Sequence, residues 1–532
     1  MMVRSPNRSL ERRQRVRMAI GIGPDLHPDG LDLLRGVDHG REDLASGEAF
    51  VGYDRLMEQG RQAVAARERA QPYAGDVVPP DYAHEMGRRG RRRRSRRPDA
   101  RDAQTALRGP RRIAVVFTFE SIKKKDAPHF DTYGSGQVSF RIASVIGVSK
   151  IDDHTVEFET NKPTSFVPYQ LCYMLIVSPT QWQKFKDWRQ FAEQPSGTGP
   201  FRVTKFVPRE RLELEANKTY WDAKRRPKID KLVLLPMPEP TTRLAALRSG
   251  QVDWIEVPPP DSIPQLKGAG FTIALNSYPH NWTHTLRLDK EPWNSKLVRK
   301  AANYAIDRVG ICKSLLNDTC IPATGVVYKG HPWFGKPKEI YDYNPAKARE
   351  LLRQAGFDAS KHPAKAVHLI STSGSGQMLP LAMNELIQKN LKDVGIDVDL
   401  QPVEWNTLLT RWRAGFRTPE NEGLNAWNIS WNFLEPWSGF GRFFHSKSVV
   451  PVAVNTMPYI NPEADKLIDE AEPTFDTNKQ NELLARLHEI IVDDAPWLFV
   501  VHDQNPRALS SKVKGFVQPQ SWFVDLTSVT VR

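Results

Sequence analysis

Five tryptophans crowd into one short stretch of this chain and make it the best candidate for a functional site. The stretch runs from Glu404 to Trp437 and contains the segments EWNTLLTRWRAG and NAWNISWNFLEPWSGF. The protein has 14 tryptophans in 532 residues, and none occurs in the first 112. Indole rings mixed with amides and carboxylates suit the binding of an organic solute that has apolar faces and polar groups.

Two of these tryptophans stand at the ends of predicted strands. In open α/β sheets, ligands bind outside the carboxyl ends of the strands. We therefore expect ligand contacts from six residues of the stretch, first from Trp405, Trp431 and Asn432, and then from Trp427, Glu435 and Trp437. Packing in a core or between lobes is the alternative explanation for these indoles, Trp412 among them.

No catalytic motif accompanies the tryptophans. The chain has no phosphate-binding loop, no nucleophile elbow, no HExxH and no spaced cluster of cysteines and histidines. SGSGQ at 373–377 lies between a predicted strand and a predicted helix, but it lacks the lysine of a phosphate loop. Asp152, Asp153 and His154 fit a solvated turn before a strand. We therefore expect no metal and no cofactor.

Alternating strands and helices surround the candidate site. The periodicity predicts, in order, strand Val367–Thr372, helix Met378–Val394, strand Ile396–Val403, helix Asn406–Ala414 and strand Asn425–Trp431. A β-α-β-α-β series of this kind predicts an α/β fold with a mostly parallel sheet.

Regular patterns also occur before and after this series. Strands are predicted for the run IAVVFTFESI that starts at Ile113, and for 154–160, 197–203, 211–217, 228–237, 252–257 and 497–501. Helices are predicted for 241–250 with a threonine cap, for Lys296–Leu316 as one long helix, for 344–356 with an Asn cap, and for 478–492.

The composition changes abruptly near residue 113. The first 112 residues contain 24 arginines and no lysine, whereas all 30 lysines follow them. They include the run GRRGRRRRSRR (Gly87–Arg97), which predicts disorder or an interaction tail. The segment MAIGIG stops at Pro24 and is too short for the apolar core of a signal peptide. We therefore expect residues 1–112 to stand outside the fold.

Three cysteines are too few for a disulfide framework or a zinc site. Cys312 and Cys320 are expected to be two core thiols, with a bridge between them as the alternative if the chain is exported.

From Val115 onward the chain resembles the family 5 extracellular solute-binding proteins, the oligopeptide, dipeptide and nickel-type receptors of ABC importers. The resemblance covers about four fifths of the chain and rests on segments in family order: VVFTFESI, VSKIDDHTVEFETNKP, PSGTGPFRV, LEANKTYWD, RPKIDKLVLLPMPEPTTRLAALRSGQVDWIE, WNSKLVRKAANYAIDR, NPAKARELLRQAGF, LKDVGIDVDLQPVEW and DAPWLFV.

The resemblance implies a two-lobed α/β fold of the type II periplasmic-binding kind that closes on its ligand about a hinge. It implies a remnant of a small extra domain at 113–196, lobe I at 197–274 and 498–532, and lobe II at 275–497. It also implies a periplasmic monomer that captures a peptide or other small organic solute and delivers it to an ABC permease in the inner membrane, with no nucleic acid as partner.

Two departures from the family pattern bear on these expectations. The N-terminal part of one lobe is expected to be missing, because residues 1–112 lack the family's opening motifs. A translation in the wrong reading frame that rejoins the true frame near Ile113 would explain this. Peptide-binding members hold the ligand's amino group with an aspartate, and at the matching position this chain has Asn432. An amide lacks the charge that holds an ammonium strongly. Glu435, three residues on, is an alternative partner for an amino group, and sugars, opines, modified peptides and other organic solutes stay open as ligands.

Three other hypotheses are compatible with the sequence. The chain could be a hydrolytic α/β enzyme, although it shows no nucleophile and base motif. It could bind nucleic acid through Arg88–Arg97, although no aromatic residues interleave with the arginines. A chain that lacks part of one lobe could also expose apolar surface and fail to fold stably.

Overall fold

The computed structural model describes residues 15–20, 111–151, 156–277, 280–373, 379–433, 436–520 and 523–532. These residues form two compact units. The smaller unit contains residues 111–151, 156–161 and 167–191, and the larger unit contains the other described residues. Asp152, Asp153, His154 and the glycines of SGSGQ lie outside the described residues, as does the arginine run at 87–97.

Short strands and helices make up both units. The strands are β1 (Arg15–Ile20), β2 (Val145–Lys150), β3 (Val156–Thr160), β4 (Phe201–Val207), β5 (Arg211–Ala216), β6 (Lys231–Pro236), β7 (Trp254–Glu256), β8 (Thr272–Ala274), β9 (His280–Leu286), β10 (Cys320–Pro322), β11 (Ala364–Ser371), β12 (Ile396–Val403), β13 (Ala426–Asn432), β14 (Trp497–Asp503), β15 (Arg507–Leu509), β16 (Val513–Lys514) and β17 (Thr530–Val531). The α-helices of four or more residues are α1 (Arg111–Lys123), α2 (Thr132–Val138), α3 (Val167–Gln170), α4 (Pro179–Phe185), α5 (Trp188–Glu193), α6 (Pro240–Arg248), α7 (Ile263–Gly268), α8 (Lys296–Ala305), α9 (Pro345–Gln354), α10 (Pro380–Lys392), α11 (Trp405–Ala414), α12 (Pro462–Ala471) and α13 (Thr477–Asp494).

The smaller unit packs helices around the antiparallel pair β2–β3. Its first helix, α1, corrects the prediction of a strand at IAVVFTFESI. Phe119 of this helix belongs to one apolar cluster and Phe117 to another. The middle of α1, residues 113–119, is apolar except for Thr118. A short apolar run of that kind does not distinguish a helix from a buried strand.

One sheet of the larger unit has the strand order β4-β5-β6-β1-β7-β15-β8. Its two faces carry separate apolar clusters, since Trp254 and Leu509 belong to one and Ile255 and Ala508 to the other. That division follows from the alternation of side chains along a strand.

Strand β1 corrects the expectation that all of residues 1–112 stand outside the fold. Arg15–Ile20 lies between β6 and β7 and is parallel to both of them. An interior strand at this position joins the two halves of the sheet through backbone hydrogen bonds.

The second sheet of the larger unit has the order β10-β14-β9-β13-β11-β12. Strands β12, β11 and β13 are mutually parallel neighbours, whereas β9, β14 and β10 join by antiparallel pairing. The sheet is therefore mixed, which corrects the prediction of a mostly parallel sheet. Every residue of β9 and of β14 is buried, as expected of strands covered on both faces. This sheet extends to Asp503, beyond the lobe boundary predicted at 497.

The long helix predicted for Lys296–Leu316 is broken. It ends at Ala305, and Ile306 adopts an extended conformation. The Asp307 carboxylate then accepts a hydrogen bond from Gly310 N at 2.8 Å and starts a new helical turn. The buried Arg308 guanidinium stabilises the break by donating to Asn303 O at 2.7 Å, which the interrupted helix leaves without its usual partner.

The helical segment 311–315 and strand β10 are joined by a disulfide bond between Cys312 and Cys320, so the prediction of two free thiols is wrong. Their Cα atoms are 5.4 Å apart, within the range that a disulfide can span. The chain reverses between them at Asn317 and Asp318, which both have positive φ angles.

Candidate ligand-binding site

Three parallel strands of the second sheet end at one edge, which we call the carboxyl edge. Strands β11 and β12 end side by side, with Ser371 opposite Val403. Thr372 N extends the pairing by donating to Val403 O at 2.9 Å. Strand β9 begins at the same edge because it is antiparallel to β13, so that His280 lies opposite Asn432. This edge is where the sequence predicted a ligand.

Trp405 is the first residue of helix α11, immediately beyond the end of β12. The preceding residue, Glu404, caps the helix, and its carboxylate accepts hydrogen bonds from Asn406 N at 2.9 Å and Thr407 N at 3.1 Å. This cap fixes the point at which the chain turns from strand to helix. The Trp405 side chain is partly buried against the core of the lobe and stands at the carboxyl edge.

Trp431 lies near the end of β13 in an aromatic cluster. Its ring centroid is 4.8 Å from that of Trp412 and 4.7 Å from that of Phe443. The guanidinium carbon of Arg442 lies 5.7 Å from the same centroid. A cation at this distance from an indole face is attracted by the ring quadrupole. Sequence reasoning missed Arg442, although a single basic residue within FGRFF is a visible signal.

Trp427 is in the core. Its side chain is 0% exposed, and its ring stacks on Phe416 at 3.6 Å between centroids. Its indole nitrogen donates to Thr456 Oγ1 at 3.3 Å. In this arrangement Trp427 offers no surface to a ligand. Trp427 and Trp431 lie on the same face of β13. They differ in their position along the strand, because Trp427 is far from the carboxyl edge and Trp431 is next to the last residue of the strand.

The other predicted residues are placed only in part. Asn432 is the last residue of β13 and Trp437 begins a helical segment, but the side chains of both lie outside the described residues. Glu435 lies outside them entirely.

Two further chain segments meet the carboxyl edge and were not predicted as parts of the site. The chain passes between the two sheets before β9 and again after β14, and Asn276 N donates to Gln504 O at 3.2 Å where the two segments run side by side. The fully buried His280 and Asp503 approach to 3.4 Å, from Nδ1 to Oδ2. Polar residues directly before and after buried strands, as in PHNW and VHDQN, are the signal that could have found them.

Aromatic side chains from the loop after β10 lie beside these crossing segments. The ring centroid of Tyr328 is 5.4 Å from that of His331 and 6.2 Å from that of His502. Burial lowers the pKa of His331 to about 4 and that of His502 to about 3. Both imidazoles are therefore neutral near pH 7, and they add rings and hydrogen-bonding atoms to this edge but no positive charge.

Within the described ranges, no group of three or more His, Cys, Asp or Glu side chains could hold a metal ion. In the same residues, no helix has the length and apolar character to cross a membrane.

Comparison with known proteins agrees with this architecture. The chain is 25% identical over 388 residues to the oligopeptide-binding protein OppA of Bacillus subtilis. The aligned part covers 70% of this chain and 68% of that protein. It is 25% identical to heme-binding protein A of Haemophilus influenzae, covering 76% of this chain and 74% of that protein. It is 26% identical to the glutathione-binding protein GsiB of Pectobacterium atrosepticum, covering 70% of this chain and 71% of that protein.

Solved structures share the fold. The periplasmic binding protein DppA of Helicobacter pylori, in complex with the peptide STSA, superposes with a TM-score of 0.66 at 23% identity, covering 79% of this chain and 81% of that chain. The dipeptide-binding protein of Pseudoalteromonas, in complex with Met-Leu, gives a TM-score of 0.67 at 20% identity, covering 79% and 83%. The fold is thus the two-lobed α/β type II periplasmic-binding fold. Residues 114–449 match the family model described as bacterial extracellular solute-binding proteins, family 5 Middle, and the chain belongs to the family 5 extracellular solute-binding proteins.

Proposed function

We propose that this solute-binding protein captures a peptide-like or ring-bearing organic solute at the carboxyl edge and delivers it to the permease of an ABC importer. Trp405 and Trp431 supply the apolar walls, and Asn432, which lies opposite His280 in the sheet, supplies a polar group. The observation that carries the proposal is the meeting of three parallel strand ends and two crossing segments at one edge. Ligands of open α/β sheets bind at such edges.

Closure on the ligand is the mechanism that we propose. A solute that contacts both lobes stabilises the closed state because it gains contacts there that the open state does not offer. The paired segments at Asn276 and Gln504 are the natural hinge, since they carry the chain between the two sheets. No bond of the solute is made or broken, and the protein acts as a monomer. It works outside the cytoplasm, a location supported by the extracellular family to which it belongs.

The relatives suggest a range of ligands. The names of similar proteins include oligopeptide, dipeptide, glutathione and heme binding. Asn432 ends β13 where the peptide-binding members are expected to carry an acid, and an amide gives an ammonium group less electrostatic stabilisation than a carboxylate. We therefore propose a solute whose binding does not depend on a free amino group.

A thermal-shift screen tests the proposal. The full chain is melted in the presence of free peptides, N-acetylated peptides, glutathione, opines and sugars. A ligand that binds only the folded state raises the melting temperature in a concentration-dependent way. At least one class is expected to stabilise the protein, and mass spectrometry is expected to recover that solute unchanged. A folded protein that no class stabilises, or a solute recovered as a product, would contradict the proposal.

A further inference from the structure

The loop between β5 and β6, residues 217–230, has a fixed shape. Its two ends lie side by side, because Ala216 N donates to Asp230 O at 2.9 Å next to the point where the strands pair. Tyr220 and Ile229 are 2% and 1% exposed and hold the loop against the lobe that contains the first sheet. The exposed side chains of the loop are therefore displayed from a backbone that is fixed at both ends and in between.

Trp221 extends from this loop into the solvent. It follows the buried Tyr220, and the centroids of the two rings are 5.6 Å apart. Trp221 is 54% exposed, and among the residues whose burial the structure describes it is the one tryptophan with a large exposed fraction. An indole has an apolar body and a polar N–H group, so it is well suited to the boundary between water and lipid headgroups.

Basic side chains lie close to Trp221 on the same loop. Arg226 Nε donates to Tyr220 O at 3.2 Å, which brings this guanidinium group next to the residue that precedes Trp221. Arg202 of β4 donates from Nη2 to Thr219 Oγ1 at 3.0 Å, two residues before Trp221. The exposed basic residues within the loop are Lys218, Lys224, Arg226 and Lys228. We call residues 217–230 the basic loop.

Acidic side chains neutralise only part of this charge. Lys218 Nζ lies 3.4 Å from Asp230 Oδ1, and Arg202 lies opposite Glu215 in the sheet. The basic loop as a whole has five basic and two acidic side chains, a net charge of +3. It is therefore a positively charged surface with an exposed aromatic ring.

This combination matches the surface of an anionic phospholipid bilayer. The headgroups attract cations, and each lysine or arginine near such a surface strengthens binding about fivefold. Three of the four exposed cations of the loop are lysines. A lysine ammonium is a flexible point charge, which suits attraction to many headgroups more than a fixed pairing with one partner residue. The indole of Trp221 adds the apolar contact at headgroup depth.

We propose that the basic loop attaches this receptor reversibly to the surface of an anionic phospholipid membrane. The attachment goes beyond solute capture, and it uses a loop of the first sheet instead of the carboxyl edge of the second sheet. One indole and a few cations do not anchor a protein as a lipid chain or a membrane-spanning helix does, so the receptor can leave the surface again. While attached, it searches for its permease in two dimensions.

Vesicle sedimentation tests the attachment. The full chain is mixed with vesicles of phosphatidylglycerol and phosphatidylcholine in equal amounts, and with vesicles of phosphatidylcholine alone. The anionic vesicles are expected to bind it roughly a hundredfold more tightly, as a net charge of +3 predicts. This preference is expected to disappear near ~1 M salt, where the Debye length is only ~3 Å.

Variants assign the binding to the basic loop. Lys224→Gln combined with Lys228→Gln is expected to weaken binding to anionic vesicles about twenty-five-fold. Trp221→Ala is expected to weaken binding several-fold and to keep the salt dependence, because it removes the apolar contact and no charge. Lys267→Gln is the matched control, since this exposed lysine lies on α7, beside β8 at the other end of the same sheet. It is expected to bind like the unmodified protein.

The arginine-rich segment is a second source of positive charge, and one further variant excludes it. Glutamine replaces Arg91, Arg92, Arg93 and Arg94 in the full chain. This variant is expected to keep the loss that the two lysine substitutions cause. If the preference for anionic vesicles depends on these arginines and is unchanged by the lysine substitutions, the inference is wrong.

The remaining outcomes separate the membrane attachment from the proposed function. Equal binding to anionic and neutral vesicles overturns the attachment, and so does binding only to vesicles that contain the permease, which would make a protein the partner of the loop. If Trp221→Ala does not fold, the double lysine variant decides. Solute affinity measured without vesicles is expected to be the same in all loop variants, so failure of the attachment leaves solute capture intact.

Discussion

Acidification is expected to destabilise this protein steeply, because several histidines are buried in neutral form. Burial lowers the pKa of His284 and His502 to about 3, and that of His331 and His488 to about 4. In an unfolded chain a histidine has a pKa of about 6.5. Below that pH the unfolded state binds more protons than the folded state, so stability falls as the pH falls from about 6.5 toward 4.

His488 shows why the folded state excludes the charged form. Its Nδ1 lies 2.8 Å from Phe334 O and donates to it, while its Nε2 accepts from Val326 N at 2.9 Å. A second proton on Nε2 would face the backbone N–H group and break that hydrogen bond. For a histidine that stays neutral in the fold, linkage gives a loss of about 1.4 kcal/mol between pH 8 and pH 5.5. Four such residues together lose about 5 to 6 kcal/mol, which is a large share of a typical domain's stability.

Urea unfolding followed by circular dichroism at a series of pH values measures this loss. His488→Gln is the informative variant, because a glutamine can donate and accept as the imidazole does but does not titrate. Its free energy of unfolding is expected to vary by about 1.4 kcal/mol less over the same pH range. His362→Gln, at an exposed position on the same lobe, is the matched control. If His488→Gln has the same pH dependence as the unmodified protein, the reasoning is wrong.

Three further predictions concern buried contacts. Arg308→Met removes a guanidinium that donates to four backbone carbonyl oxygens and is expected to cost about 3–5 kcal/mol in urea unfolding; a loss below about 1 kcal/mol would contradict that role. Gly325→Ala is expected to lower the free energy of unfolding by about 1–3 kcal/mol, because the new Cβ would lie 2.4 Å from Nε2 of His488. Gly423→Ala, whose new Cβ would have nothing within 4 Å, is expected to leave the melting temperature unchanged. A reductant that breaks the Cys312–Cys320 bond is expected to lower the free energy of unfolding by about 2 kcal/mol. The same reductant is expected to leave a variant with serine at both positions unaffected. Equal responses of the two proteins would count against the bond.

Local signals predicted much of the second sheet and its helices. Strand β12 has the predicted bounds, Ile396–Val403. Helix α9 begins at Pro345 after Asn344, whose side chain accepts from Lys347 N, as its sequence predicts. Gly356 follows that helix with a φ of +87°, a conformation that glycine adopts without strain. Each of these features depends on residues close together in the sequence.

Other features were missed, most of them because they depend on contacts that are distant in sequence. Helix α6 begins with Pro240 after Glu239, not with the predicted threonine cap, because proline is well suited to the first helical position. Strand β1 was not predicted, because the sequence around it is rich in arginine. Its segment RVRM nevertheless alternates between polar and apolar residues, as a strand does. Its assignment requires partners more than 200 residues away, at Lys231 and Trp254.

The sequence placed Trp405 and Trp431 at strand ends, and the structure has both residues at the carboxyl edge; that a ligand binds there stays a prediction. Strand ends located Trp405 and Trp431, because parallel strands bring their carboxyl ends to one edge. The same rule could not exclude Trp427 as a ligand contact. Alternation shows which face of a strand a side chain lies on, but it does not show how far the residue is from the end of the strand. Arg442, His280 and Asp503 reach the edge from other segments, so their place there depends on the pairing of strands that are far apart in the sequence.

Calorimetric titration of two tryptophan variants tests the central claim most directly. The first solute found by the screen is titrated into the unmodified protein and into the variants Trp405→Ala and Trp431→Ala. Trp221→Ala is the control, because that side chain is 54% exposed and lies on the other lobe. Both carboxyl-edge variants are expected to bind about tenfold or more weakly, as loss of a buried aromatic contact predicts, while the control binds normally. Unchanged affinity in both folded variants would contradict a ligand site at the carboxyl edge.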